Sequence, residues 1–189
     1  QFGKMLEKDK PKPITVEGEE GYFYEWTIKY NYRNKELPKN NYIVDTLGNN
    51  LEFYGNPSDV VVKNMANEIV PAKVTFNGNK MTVTFPDGLS EPVNITYKTK
   101  VSSVVDDSTT DKNITNEVKT DTGITSSNGG TISNDGITKD GSIDYKNRQI
   151  TWTIKINKYK YLMKDWSLTD TMSPGLTFEK GTLSIKDSK

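Results

Sequence analysis

Apolar and polar residues alternate with period two along much of this chain, as in strands with one face buried. The alternation predicts strands at Phe2–Leu6, Tyr22–Tyr30, Tyr42–Leu47, Lys73–Phe76, Lys80–Phe85, Val93–Val101 and Ile114–Lys119. Asn77, Gly78 and Asn79 sit between two of these runs and predict a hairpin turn. Pro57–Val70 lacks clear alternation and is read as holding a short helix. Thr120–Asp135 is small, polar and Gly-rich, and is read as a linker or loop. Many short strands with Gly, Pro and Asn turns predict an all-β sandwich.

After the polar stretch the pattern restarts. Trp26 and Trp152 open matching strands, and Asn31 and Asn157 each follow five residues later. Asp45 lies 19 residues after its Trp, and Asp170 lies 18 after its own. Phe53 and Phe178 each follow their Asp by eight. Two copies of one domain account for this order. The expected division is a complete domain at 1–122, a linker at 123–135, and the first half of a second domain at 136–189.

Within the predicted strands, charged and amide groups fall on apolar faces, because residues two apart share a face. Lys4 lies between Phe2 and Leu6, Asp45 between Ile43 and Leu47, and Asn116 between Ile114 and Val118. In the second copy Lys139 shares a face with Ile137 and Ile143, and Asp170 with Leu168 and Met172. A lone buried Lys or Asp is costly unless it is paired or neutralised, so three such positions in one small sandwich suggest that they meet. Burial lowers a Lys pKa toward a neutral amine and raises an Asp pKa toward a carboxylic acid. The acid can polarise the Asn side-chain carbonyl, the amine can attack its carbon, and ammonia leaves. A Lys–Asn isopeptide bond remains, helped chiefly by proximity. The competing reading places these residues on solvent-facing edge strands, with Lys4 blocking aggregation.

Composition narrows the chemistry. With 25 basic and 25 acidic residues the formal net charge is zero, which gives no support for nucleic-acid binding. No run approaches the length of a membrane span, so membrane insertion is not expected. The sequence shows no signal peptide and no sorting tail, as expected of a mature fragment or of a piece cut from a longer chain. The absence of Cys and His excludes disulfides, Ser-His and Cys-His nucleophiles and His-based metal sites. No cofactor or metal is expected, and no turnover enzyme.

Four sets of motifs carry a family resemblance: "WTIKYN" with "ITWTIKIN", "IVDTL" with "LTDTMSPGLTF", "NITYKTKV" at Asn94–Val101, and "NITNEV" at Asn113–Val118. In order and spacing the chain resembles the collagen-adhesin type of Gram-positive surface protein, the MSCRAMM family. The resemblance implies tandem immunoglobulin-like sandwiches, the second incomplete in this sequence. It also implies a self-formed Lys–Asn isopeptide bond promoted by an acidic residue. Carried over by position, Lys4 is the amine, Asp45 the acid catalyst and Asn116 the amide, with Lys139 and Asp170 their counterparts in the second copy. Lys4 lies 22 residues before Trp26, whereas Lys139 lies 13 before Trp152, so Lys8, Lys10 and Lys12 remain open as the crosslinking lysine. Asn113 is the fallback for Asn116. The second copy lacks a counterpart of the Asn116 strand, so no intramolecular bond is expected there. The resemblance further implies a host extracellular-matrix ligand of the collagen or fibrinogen class. It implies an extracellular location, with peptidoglycan attachment through a region outside this sequence. The rival role is a stalk or pilus-shaft module with no ligand of its own.

Two shorter motifs are set aside. Asp121–Gly123 spells the aspartic-protease triplet but lies in the polar stretch, with no second carboxylate indicated. Asp106–Glu117 is similar to a calcium-binding EF-hand loop, but Asp111 stands where that loop needs Gly.

Overall fold

A computed structural model describes residues 3–102, 111–132, 136–157 and 165–187. Thirteen strands are assigned among them: β1 Leu6–Lys8, β2 Lys12–Ile14, β3 Phe23–Tyr30, β4 Asn41–Leu47, β5 Leu51–Tyr54, β6 Val61–Asn64, β7 Lys73–Asn77, β8 Lys80–Phe85, β9 Val93–Val101, β10 Lys112–Thr120, β11 Thr125–Ile132, β12 Thr138–Asp144 and β13 Gln149–Lys155. All the pairings are antiparallel. One sheet runs β1-β3-β9-β5, with β2 added to β3 and β6 added to β9. The second runs β11-β10-β4-β8-β7, and β12 and β13 form a separate two-stranded sheet.

The first two sheets bury their alternating faces against each other, an immunoglobulin-like sandwich. Trp26, Ile28, Tyr30, Val93, Ile95 and Tyr97 enter the core from one side, and Ile43, Leu47, Met81, Val83, Ile114 and Val118 from the other. Trp26 is fully buried and its indole Nε1 donates to Thr99 Oγ1 at 2.8 Å, which satisfies its only polar atom.

Three expectations change. Pro57–Val70 is not a helix beyond one 3₁₀ turn at Pro57–Asp59; Val61–Asn64 pairs with β9 instead. The predicted first strand shifts, so β1 begins at Leu6, while Phe2 lies outside the described residues. The linker read at 123–135 is corrected, because Thr125–Ile132 is the edge strand β11, in register with β10 from Lys112 to Lys119. The first unit therefore runs on to Ile132 rather than ending at 122. β11 has poor strand propensity, so its pairing decides its conformation. Gly129 permits the close approach, since a Cβ there would lie 2.1 Å from the Ile114 carbonyl oxygen.

The repeat is visible in the backbone. Asn31 and Asn157 both take left-handed φ, 60° and 57°, immediately after or near the end of β3 and β13. Lys8 pairs with Ile28, and Lys139 with Ile154. Ile28 and Ile154 each stand two residues after their Trp and three before their Asn.

Candidate functional site

β1 places Lys8 on the same buried face as Leu6, and the side chain of Lys8 is fully shielded from solvent. Two bonds from β11 hold the Lys8 backbone. Its N–H donates to Ser126 Oγ at 2.9 Å, and its carbonyl accepts from Asn128 Nδ2 at 3.2 Å. The polar residues of β11, read from sequence as linker composition, are what fasten β1.

Asp45 and Asn116 come from adjacent strands of the opposite sheet. Asp45 pairs with Val118, and Asn116 with Leu47, so the two side chains are diagonal neighbours on one face. Tyr97, opposite Trp26 in the first sheet, completes the group. Lys8, Asp45, Tyr97 and Asn116 are each at most 4% exposed. The Lys8 amine donates to Asp45 Oδ2 and, at 2.6 Å, to Tyr97 Oη. Asn116 Nδ2 donates to the same Tyr97 Oη at 2.8 Å.

Burial sets the protonation of this group. Desolvation lowers the Lys8 pKa, although Asp45 opposes it by charge and by hydrogen bonding. Desolvation raises the Asp45 pKa, against the opposing pull of Lys8, Tyr97 and Asn116. The rings of Trp26 and Tyr97, 5.1 and 5.3 Å from Lys8 Nζ, favour a cation. Such contacts contribute about 2 kcal/mol when desolvated, against several kcal/mol for stripping water from each ion. Burial thus pushes both groups toward their neutral forms, against the attraction between them.

The hydrogen-bond inventory agrees. Asp45 Oδ1 and Asn116 Oδ1 are both buried with no partner. Two such acceptors are costly, and a proton on Asp45 Oδ1 would turn one of them into a donor. The two donor bonds of Lys8 use both N–H groups of a neutral amine. In that neutral form its lone pair is free. The arrangement gathers an amine, a carboxyl group and a primary amide in one buried place.

Lys4, the first-choice lysine from sequence, is not part of the site. Its side chain is 75% exposed and lies 3.9 Å from Glu7. Asn31 follows β3 with positive φ, and the ladder between β1 and β3 begins only at Leu6, so Lys4 lies outside it. Lys10 and Lys12 are also exposed, leaving Lys8 among the alternatives that sequence kept open. Asn113 is exposed and accepts from Thr131 Oγ1 at 3.0 Å. Tyr97 was missed as a site residue. Its signal lay in β9, where Val93, Ile95, Tyr97, Thr99 and Val101 share the buried face and Tyr97 brings a hydroxyl into it.

In the second unit Lys139 Nζ meets Asp170 Oδ1 at 2.6 Å and lies 4.6 Å from the Trp152 ring centroid. Gly141 makes room for that ring, since a Cβ there would fall 2.7 Å from it. Lysine, acid and tryptophan thus recur together. Here they are open to solvent, with Lys139 and Asp170 side chains 35% and 36% exposed and Trp152 43% exposed.

Residues 134–189 match the collagen binding domain family. The collagen-binding match covers Lys139, Trp152 and Asp170, and begins just past the end of β11. Similar solved structures include a collagen-binding domain from a Staphylococcus aureus adhesin, at 16% identity and TM-score 0.46, covering 70% of this chain and 99% of that one. The collagen adhesin of S. aureus is similar at 13% identity and TM-score 0.47, covering 85% of this chain and 54% of that one. The T6 backbone pilin of serotype M6 Streptococcus pyogenes is similar at 12% identity and TM-score 0.43, covering 76% of this chain and 38% of that one. No curated protein matches the chain.

The remaining motifs have structural places. Asp121–Gly123 forms the turn between β10 and β11, with Gly123 at φ 95° and its N–H bonded to the Thr120 carbonyl. Residues 106–110 of the Asp106–Glu117 run lie outside the described residues, and from Lys112 that run is β10. Among the described residues no group of three or more His, Cys, Asp or Glu side chains is placed to hold a metal. Nor is any helix there long and apolar enough to cross a membrane.

The Asp45 assignment predicts a pH slope. In Lys8→Met the amine is gone and Asp45 stays buried. A folded pKa raised above the ordinary 3.8 means the folded state keeps a proton the unfolded chain has lost. Stability is then greatest below pH 3.8 and falls by about 1.4 kcal/mol per unit as pH rises toward the folded value. Denaturant melts of Lys8→Met at several pH values, against Lys8→Met/Asp45→Asn, measure this. A stability difference that rises with pH would mean that Asp45 is buried as a carboxylate.

Proposed function

We propose that this chain is a cell-surface adhesin region whose first unit is closed by a self-formed isopeptide bond between Lys8 and Asn116, with Asp45 as the acid catalyst. The observation that carries the reading is the enclosed cluster in which Lys8 contacts Asp45 and Tyr97, and Asn116 contacts Tyr97. The reaction happens once per molecule and involves no turnover. It would join β1 of one sheet to β10 of the other. The ligand would be a host extracellular-matrix protein, and the family match of residues 134–189 favours the collagen class over fibrinogen. The protein would work outside the cell, held to the wall by a region beyond these residues.

Intact mass tests the bond. The wild-type chain is expected to weigh one ammonia less than its sequence, and Asp45→Ala to weigh the full amount. The expected deficit is one ammonia, from the Lys8–Asn116 bond of the first unit. A wild type at full mass would overturn the bond. Saturable binding of the chain to immobilised collagen is expected for the adhesin reading. Its absence in the crosslinked protein would leave the spacer role, a stalk module with no ligand of its own.

A further inference from the structure

One group of the cluster, the Tyr97 hydroxyl, touches both reacting nitrogens. Tyr97 Oη accepts from the attacking nitrogen, Lys8 Nζ, at 2.6 Å and from the departing nitrogen, Asn116 Nδ2, at 2.8 Å. Tyr97 is almost fully buried. No other hydroxyl is described against both nitrogens.

Amide exchange needs a proton moved between those two atoms. When the amine adds to the Asn116 carbonyl carbon, the Lys8 nitrogen becomes positive and the former carbonyl oxygen becomes negative. The amide nitrogen is a poor leaving group until it gains a proton. Asp45 contacts Lys8 Nζ through Oδ2, whereas Tyr97 Oη contacts both nitrogens between which the proton must pass.

We propose that Tyr97 is a catalytic residue that relays this proton, taking one from Lys8 Nζ as it gives its own to Asn116 Nδ2. In the bound amide, Nδ2 is planar and donates to Tyr97. In the tetrahedral intermediate, Nδ2 is an amine with a lone pair and can accept along the same line. The Nζ–Cγ bond has then formed, and the Cγ–Nδ2 bond breaks with its electron pair leaving on ammonia. The carbonyl reforms, Tyr97 and Asp45 end with the protons they began with, and no other reactant is consumed. The relay rests on the Lys8–Asn116 bond proposed above.

The test follows crosslinking in time. The full chain is made by cell-free synthesis, quenched in guanidinium at intervals and weighed. Tyr97→Phe keeps the ring beside Lys8 and removes the hydroxyl. It is expected to form the bond at least about 100-fold more slowly, the scale of a lost general acid–base group. Crosslinking of Tyr97→Phe at the wild-type rate would overturn the relay and leave the bond standing. A wild type with no mass deficit would overturn the bond, and the relay with it. Fluorotyrosine at position 97 separates chemistry from packing, and decides the matter if Tyr97→Phe fails to fold. It keeps the shape and changes the acidity of the hydroxyl, so a relay predicts a rate changed by more than about threefold. An unchanged rate would assign Tyr97 to packing and overturn the proposal.

Discussion

Lys8→Met is expected to restore the full mass of the chain and to lower the thermal midpoint of the first unit by roughly 10–25 °C, while Lys4→Met changes neither. The loop closed by the bond spans 116 − 8 = 108 positions. In the chain-entropy treatment used for disulfides, closing a loop of that length stabilises by about 4–5 kcal/mol. For a unit of this size each kcal/mol moves the midpoint by about 3–5 °C. Met keeps much of the aliphatic stem that packs in the core, so little of the loss comes from a cavity. The variant pair separates the two lysines cleanly, because Lys4 is out in solvent beside Glu7 and Lys8 is enclosed. A mass deficit that survives Lys8→Met and disappears in Lys4→Met would reverse the assignment. Loss of the deficit without any drop in midpoint would mean that the bond adds no stability.

The difference between those lysines shows what sequence could and could not supply. Lys4, Leu6 and Lys8 have the same parity, so alternation alone cannot choose between the two lysines. Lys4 has apolar residues, Phe2 and Leu6, two positions away on both sides, which Lys8 does not. The choice is made by where pairing begins, and β1 pairs only from Leu6, opposite the last residue of β3. The repeat contained the needed measure. Counted back from Trp through the hairpin, the copies disagree, because the first has a break between β1 and β2 and a longer turn. Counted across the strands, Lys8 and Lys139 occupy one register position opposite Ile28 and Ile154.

Asp45 and Asn116 were legible as positions because each sits within a long regular alternation whose buried face is unambiguous. Tyr97 has the same kind of position, but a tyrosine in an apolar face looks like ordinary core until its hydroxyl is seen to meet two nitrogens. β11 was hidden for a different reason. Its residues are chosen for close approach at Gly129 and for bonding the Lys8 backbone through Ser126 and Asn128, so it lacks the apolar face that marks a strand. Composition that signals a linker here signals an edge strand with a fastening task.

Stretching the wild-type first unit from handles before Lys8 and after Ile132 is expected to release none of the chain between Lys8 and Asn116. In Asp45→Ala, which forms no bond, the same pull should release it all. The segment spans 108 positions by the count above, and an extended chain reaches about 3.3–3.6 Å per residue. The missing extension is therefore about 360–390 Å, large enough to read from single-molecule force curves. The force path explains why. With the proposed bond in place, tension would enter along β1, cross from Lys8 to Asn116 on β10, and leave through the rest of β10 and β11. The core strands β3, β4, β8 and β9 lie outside that path and bear no direct load. Only the segment from Glu117 to Ile132 would peel, together with the residues before Lys8. Forced unfolding is governed by the unfolding rate rather than by equilibrium stability, so a covalent path changes the outcome far more than its few kcal/mol suggest. Equal extension in wild type and Asp45→Ala would show that the two strands are not joined, whatever their proximity in the folded core.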